Sequence, residues 1–355
     1  MKLVFQTGFK YKETDVKKAW SEFFIGIIFV SFFLLQPFFS LLFLVMSSLF
    51  MRTENSFHIY MIVFLGSLYL GLINLTKIPD SDLIHYIAAF DDARIYSLSE
   101  FFILYSREPL YYLAVYIMGT IEYLDSRHFV LVSTFIQYFV YLFAVVKLCQ
   151  HIELSHRSII TFILILLFFP SLFSISAHLM RQFIASSICI YVVVQMLIYE
   201  RTNFLLAFAS FLNHFFVGLF FFLIASVKAV QSEKLTKTLV LLSSFLVLLL
   251  GIISIYYASQ YLIGVPFIGV IFSRIINPVG FIEFAPFNLS QMIFSIFILI
   301  CSAFNLYNKS SFKTIYFEII HLATIFFCGI IILSSFVGSL SEVTLRFSLF
   351  LYFAV

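Results

Sequence analysis

The stretch Ser176 to Glu200, SAHLMRQFIASSICIYVVVQMLIYE, decides how the chain is read. Its apolar run is long enough to cross a bilayer core, which takes about 20 helical residues. Yet it opens with His178, Arg181 and Gln182. An arginine near hydrocarbon costs about 2.5–3.5 kcal/mol on insertion scales, so it is paired, interfacial or functional. Spacings of three and four predict that His178, Arg181 and Gln182 share one side of the first turn. Unpaired backbone N–H groups and the positive helix end favour an anion there. The stretch reads as half of a phosphate site. The plainer use of the same arginine is to snorkel and anchor the helix at an interface.

Composition fixes the class around that stretch. With 62% hydrophobic and 11% charged residues over 355 positions, the chain has too little polar surface to clothe a soluble globule. It reads as all-α: one integral membrane domain over 1–355, with about 10–12 transmembrane or re-entrant helices. A net charge of +3 is too small to suggest a nucleic-acid partner, and no basic run with interleaved aromatics occurs. Cys149, Cys189, Cys301 and Cys328 lie inside apolar segments without metal-ligand spacing and read as small hydrophobes.

Residues 1–20 carry five lysines and no signal-peptide pattern, so they read as a cytoplasmic basic tail. Residues 21–50 are apolar but broken by Gln36-Pro37, which leaves a kinked span and a tight helical hairpin both open. A span at 57–75 follows. Thr76 to Glu108 then gathers nine charged residues and reads as the first large external loop, 76–108. Leu83, Ile87 and Phe90 keep helical spacing within it, as in an amphipathic helix on the bilayer surface. Pro109 is expected to open the next helix. Residues 109–124 are marginal for a crossing, whereas 129–149, 159–177 and 182–199 are expected to span. Asn213-His214 interrupts 204–227. Glycines and prolines break 259–288, the second large external loop. Further spans are expected at 238–258, 289–307 and 314–337. A last helix beginning near Val343 has only thirteen residues, so the sequence reads as cut short.

Sidedness depends on which blocks cross. If every block crosses once, basic residues divide thirteen inside to eight outside. If 21–50 and 204–227 turn back and 109–124 does not cross, the outside keeps Lys77, Arg94, Arg107, Arg127, Arg181, Arg274 and Arg346. Six of these seven are arginine, the flat fork suited to phosphate oxygens.

Four segments, "PDSDLIHY" (Pro79 to Tyr86), "REPLYYL" (Arg107 to Leu113), "HLMRQFIASSICIY" (His178 to Tyr191) and "AFASFLNHFFVGLFF" (Ala207 to Phe221), resemble the EpsG and O-antigen polymerase (Wzy-like) family. In that family an Asp-x-x-x-Tyr element follows the second hydrophobic block and a Glu-Pro-like dipeptide opens the next helix. A later helix starts with Arg-Gln, and a histidine falls in the broken segment after it. The resemblance covers roughly Gly66 to Leu223. The chain departs from it in its longer lysine-rich tail and in Lys77, where arginine is common.

The resemblance implies a fold like the metal-independent GT-C-type integral-membrane glycosyltransferases. It implies a polymerase at the periplasmic face of the bacterial inner membrane, acting without cofactor or metal. The enzyme would move a growing glycan from undecaprenyl diphosphate to the non-reducing end of a lipid-linked repeat unit. Its partners would be undecaprenyl-diphosphate-linked oligosaccharides and the lipid bilayer, with a chain-length regulator as a candidate protein partner. A lipid-linked glycan flippase and an O-antigen ligase are the alternatives. A flippase more often shows two repeated halves, which the sequence lacks.

The residue types fit that chemistry. Displacing a lipid diphosphate from an anomeric carbon develops charge on the leaving oxygens, which fixed arginines stabilise in a poorly solvated site. Arg181 is the first candidate, with Arg274, Arg346 and Arg107 as further donors and His178, Gln182 and Tyr86 beside them. Asp80, Asp82, Glu108 and His214 are candidates for a base on the acceptor hydroxyl. Each has a plainer use: Asp80 and Asp82 as helix caps, Glu108 as a helix-start carboxylate, His214 with Asn213 as a buried polar pair. Tyr86, Tyr111 and Tyr112 read as interfacial aromatics rather than sugar platforms.

Overall fold

A computed structural model describes residues 13–50, 56–79, 82–105, 108–199 and 203–214, with isolated positions beyond. It is all-helical over these residues. Two helices opening the chain, α1 (Glu13–Leu35) and α2 (Pro37–Phe50), part at Gln36, because Pro37 supplies no N–H and fixes its own φ as a first helical residue. Ser40 Oγ donates to the Phe29 carbonyl at 3.1 Å, and the Phe29 and Phe43 rings lie 6.1 Å apart. Fourteen residues of straight helix would separate those rings by about 21 Å. The segment is therefore a hairpin folded about Gln36, which resolves the two openings left by the sequence.

Next come α3 (Ser56–Thr76), α4 (Asp82–Asp92), α5 (Leu98–Leu104), α6 (Pro109–Gly119), α7 (Ser126–His151), α8 (His156–Leu167), α9 (Pro170–His178), α10 (Met180–Tyr199) and α11 (Phe204–Asn213). Lys18–Leu35, α3 and α7 are each long and apolar enough to cross a membrane. The pair α8 and α9 makes a fourth span only if its 57° bend is allowed. This adds a bend to the crossing expected over 159–177. Pro170 cannot donate to the turn before it, so the helix stops and restarts.

At the centre α3 and α7 run antiparallel. Tyr60 OH reaches Gln150 Oε1 at 3.0 Å at one end, and Asn74 Nδ2 donates to Thr134 Oγ1 at 2.8 Å near the other. Gly71 permits the approach, since a Cβ there would sit 2.9 Å from the Leu131 carbonyl oxygen. Running parallel to α7, α10 places Phe183 against Tyr138 at 5.2 Å and Tyr191 against Phe143 at 6.0 Å. Next to it α11 returns, with Ser210 Oγ donating to the Ala185 carbonyl. These contacts sort the described cations by end: Lys18, Lys147 and Arg157 at one, Lys77, Arg94, Arg127 and Arg181 at the other.

The second end carries a layer built from α4, α5 and α6. Its α4 buries Leu83, Tyr86, Ala89 and Phe90, close to the expected amphipathic stripe. Pro109 does open α6, whose eleven residues rise about 16 Å, too short to cross. Arg94 staples the layer, its Nε donating to the Gly119 carbonyl at 3.2 Å and its Nη2 to the Leu124 carbonyl. This arginine thus serves backbone oxygens of its own chain.

Candidate active site at the joined helix ends

Arg181 projects from the first turn of α10 into a pocket walled by the layer above. Nη1 pairs with Glu108 Oε2 and donates to Tyr112 OH at 3.3 Å, and Nε donates to Tyr86 OH at 3.2 Å. The guanidinium carbon lies 5.2 Å from the Tyr86 ring centroid and 5.7 Å from that of Tyr112, within reach of the ring quadrupoles. Only 18% of the arginine side chain and 14% of Glu108 is exposed, so the pair is largely desolvated. Nη2 makes no hydrogen bond among the described residues, which leaves one edge of the fork for a ligand.

Helical spacing explains the walls. Asp82 and Tyr86 stand four apart on α4, and Glu108 and Tyr112 stand four apart where α6 begins, so each helix turns a carboxylate and a tyrosine to one side. Asp82 Oδ2 is 3.5 Å from Tyr86 OH. Burial pushes the Tyr86 hydroxyl well above its ordinary range, so it stays protonated and available as a donor. Glu108 occupies the N-cap position of α6 but makes no capping bond with its side chain. Its second oxygen lies 3.8 Å from His214 Nε2, brought in where α11 ends and the backbone turns extended.

Five of the expected site residues therefore meet: Asp82, Tyr86, Glu108, Arg181 and His214. His178 does not share a helical face with Arg181, because the chain breaks at Leu179 and His178 closes α9. Its Nε2 instead lies 2.9 Å from Lys77 Nζ. Gln182 is buried at 3% exposure, one residue beyond Arg181 and turned about 100° from it. Tyr86, Tyr111 and Tyr112 face the protein interior rather than headgroups: they are 1%, 2% and 6% exposed, with Tyr86 and Tyr112 against the guanidinium and Tyr111 packed on both. Tyr112 as a ligand of Arg181 was missed, although its spacing of four from Glu108 signalled it. Asp80, Arg107, Arg274 and Arg346 lie outside the described residues, as does the second large loop.

Fold and site define the class: an all-α, membrane-embedded protein that gathers an arginine, carboxylates, tyrosines and a histidine at one end of its helices. Comparison with protein-family models finds no match for the chain, and comparisons with curated proteins and with solved structures find none either.

Proposed function

We propose that the chain is a polysaccharide polymerase of the bacterial inner membrane. It transfers a growing glycan from undecaprenyl diphosphate to the non-reducing end of a lipid-linked repeat unit at the periplasmic face. The observation that carries this reading is the Arg181–Glu108–His214 constellation, drawn from three separate helices and desolvated at one end of the bundle. Such a site stabilises charge on a departing oxygen better than an exposed arginine would, because its donors are fixed and water is excluded. The unengaged edge of Arg181 donates to the leaving diphosphate. Arg274 and Arg346 are the further donors the sequence offers.

His214 is the base we assign for the acceptor hydroxyl. Glu108 has one oxygen committed to the guanidinium, and its other oxygen faces the imidazole. It is placed to orient the histidine rather than to take the proton itself. The outward-facing site rests on reading the lysine-rich segment 1–20 as the cytoplasmic tail, since Lys18 lies at the end opposite Arg181.

The test is the glycan made by cells carrying Arg181→Ala or Arg181→Lys. Both should leave single-repeat glycans on the surface with wild-type amounts of inserted protein, the second because an ammonium lacks the planar fork that reaches Glu108, Tyr86 and a phosphate from separate edges. Polymer retained on the carrier points to a ligase, and no glycan outside points to a flippase. Near-wild-type polymer from both variants removes Arg181 from the mechanism.

A further inference from the structure

Gln137 lies midway along α7 with no exposed surface, and neither its amide nitrogen nor its amide oxygen has a hydrogen-bond partner among the described residues. Buried polar groups are nearly always paired, so an amide with both ends empty in a membrane bundle calls for an occupant. Two nearby side chains repeat the pattern. Asn74, 1% exposed, gives Nδ2 to Thr134 and keeps Oδ1 unpartnered; Ser186, also 1% exposed, keeps Oγ unpartnered.

The three lie within about two turns of one another along the bundle. Gln137 is one turn beyond Thr134, the partner of Asn74. Because α10 is parallel to α7, with Tyr138 facing Phe183 and Phe143 facing Tyr191, Gln137 is level with the turn from Gln182 to Ser186. Arg181 immediately precedes that turn. Helices in contact lie about 8–10 Å apart, so the polar group adjoins the charged site from the core side.

Its chemistry differs from that of the charged site. Amides and a hydroxyl offer donors and acceptors together and no cation, which suits a hydroxyl and not a phosphate. We infer that Asn74, Gln137 and Ser186 form a neutral hydroxyl-binding pocket beside Arg181, taking ordered water or a sugar hydroxyl of the glycan. The sugar alternative rests on the polymerase reading; the water alternative does not.

Gln137→Leu in the purified full-length protein tests the pocket. With water as occupant, the variant's thermal midpoint falls by several degrees without any glycan, and radiolytic hydroxyl labelling of buried Tyr138 and Phe183 drops from its wild-type level. With a sugar hydroxyl as occupant, the midpoint and labelling hold while the acceptor KM rises about 3–10-fold, the worth of one hydrogen bond, at unchanged kcat. A higher midpoint with unchanged KM and no labelling in the wild type means a dry, strained core and overturns the pocket, as does no change in any readout. Ser186→Ala, too small a change to unfold the bundle, must move the same readouts in the same direction. The midpoint and labelling arms stand even if no polymerase activity is found.

Discussion

The Arg181–Glu108 pair can be weighed with a double-mutant cycle of Arg181→Met, Glu108→Gln and the Arg181→Met/Glu108→Gln combination. Removing one member of a buried pair costs about 3–5 kcal/mol, because the other is stranded in a medium that solvates it poorly. The exposures of 18% and 14% leave some water at the pair, which lowers the expected cost of Glu108→Gln to about 2–4 kcal/mol. Arg181→Met strands the carboxylate similarly. It also removes donors to Tyr86 and Tyr112, about 0.5–1.5 kcal/mol each, and two ring contacts of about 0.5–1 kcal/mol each. The double variant strands no charge, so it should cost far less than the two singles together. The expected coupling is about 2–3 kcal/mol, read from equilibrium unfolding of the detergent-solubilised proteins. A coupling below about 0.5 kcal/mol would falsify the view of Arg181 as a desolvated, carboxylate-held group.

Three further outcomes are expected. Gly119→Ala should cost about 1–3 kcal/mol by pushing α4 off α6, since the new Cβ would sit 2.7 Å from Ala93 Cβ and 2.8 Å from the Phe90 carbonyl oxygen; thermal unfolding checks it. Asp125 caps α7, and the His128 backbone N–H it accepts holds its carboxyl below the ordinary value. Its contribution is therefore present above the unfolded carboxylate range and fades as pH falls through the lower folded value, below about pH 4. The gap in midpoint between wild type and Asp125→Ala should then shrink from pH 6 to pH 3; a gap that widens on acidification contradicts the assignment. A cysteine replacing exposed Asp91 should react with an impermeant maleimide on intact cells, and one replacing Arg157 only after permeabilisation. The reverse pattern would turn the site toward the cytoplasm.

Much of the fold was legible because membrane helices announce themselves by composition, and the proline at 109 marked a helix start through its missing N–H. The bend before Pro170 was equally marked in the sequence, yet an unbroken apolar run masks it when length alone is weighed. The break at Leu179 has no proline or glycine to signal it, so the common face expected for His178 and Arg181 rested on a periodicity the backbone does not keep there. Of the site, residue types were readable and partnerships were not. Glu108 meeting Arg181 depends on how α6 and α10 pack, which no local spacing contains. The buried tyrosines were misjudged because an aromatic near a membrane boundary has the same local pattern whether it faces headgroups or a guanidinium.

Stapling of α4 to α6 bears on the charge site from a distance. Asp82 opens α4 and Tyr86 follows one turn on, while Arg94 and the close approach at Gly119 hold its other end, about 12 Å beyond Tyr86 along the helix. The tyrosine on α4 and the glutamate on α6 contact the same guanidinium, so their separation is fixed by how those two short helices pack. A pivot at the staple would move Tyr86 relative to Glu108 and change which donors of Arg181 are engaged. In a pair this desolvated, small displacements carry large electrostatic weight. The layer outside the spanning helices is thus more than a cover: its packing sets the spacing on which the charge balance of Arg181 depends.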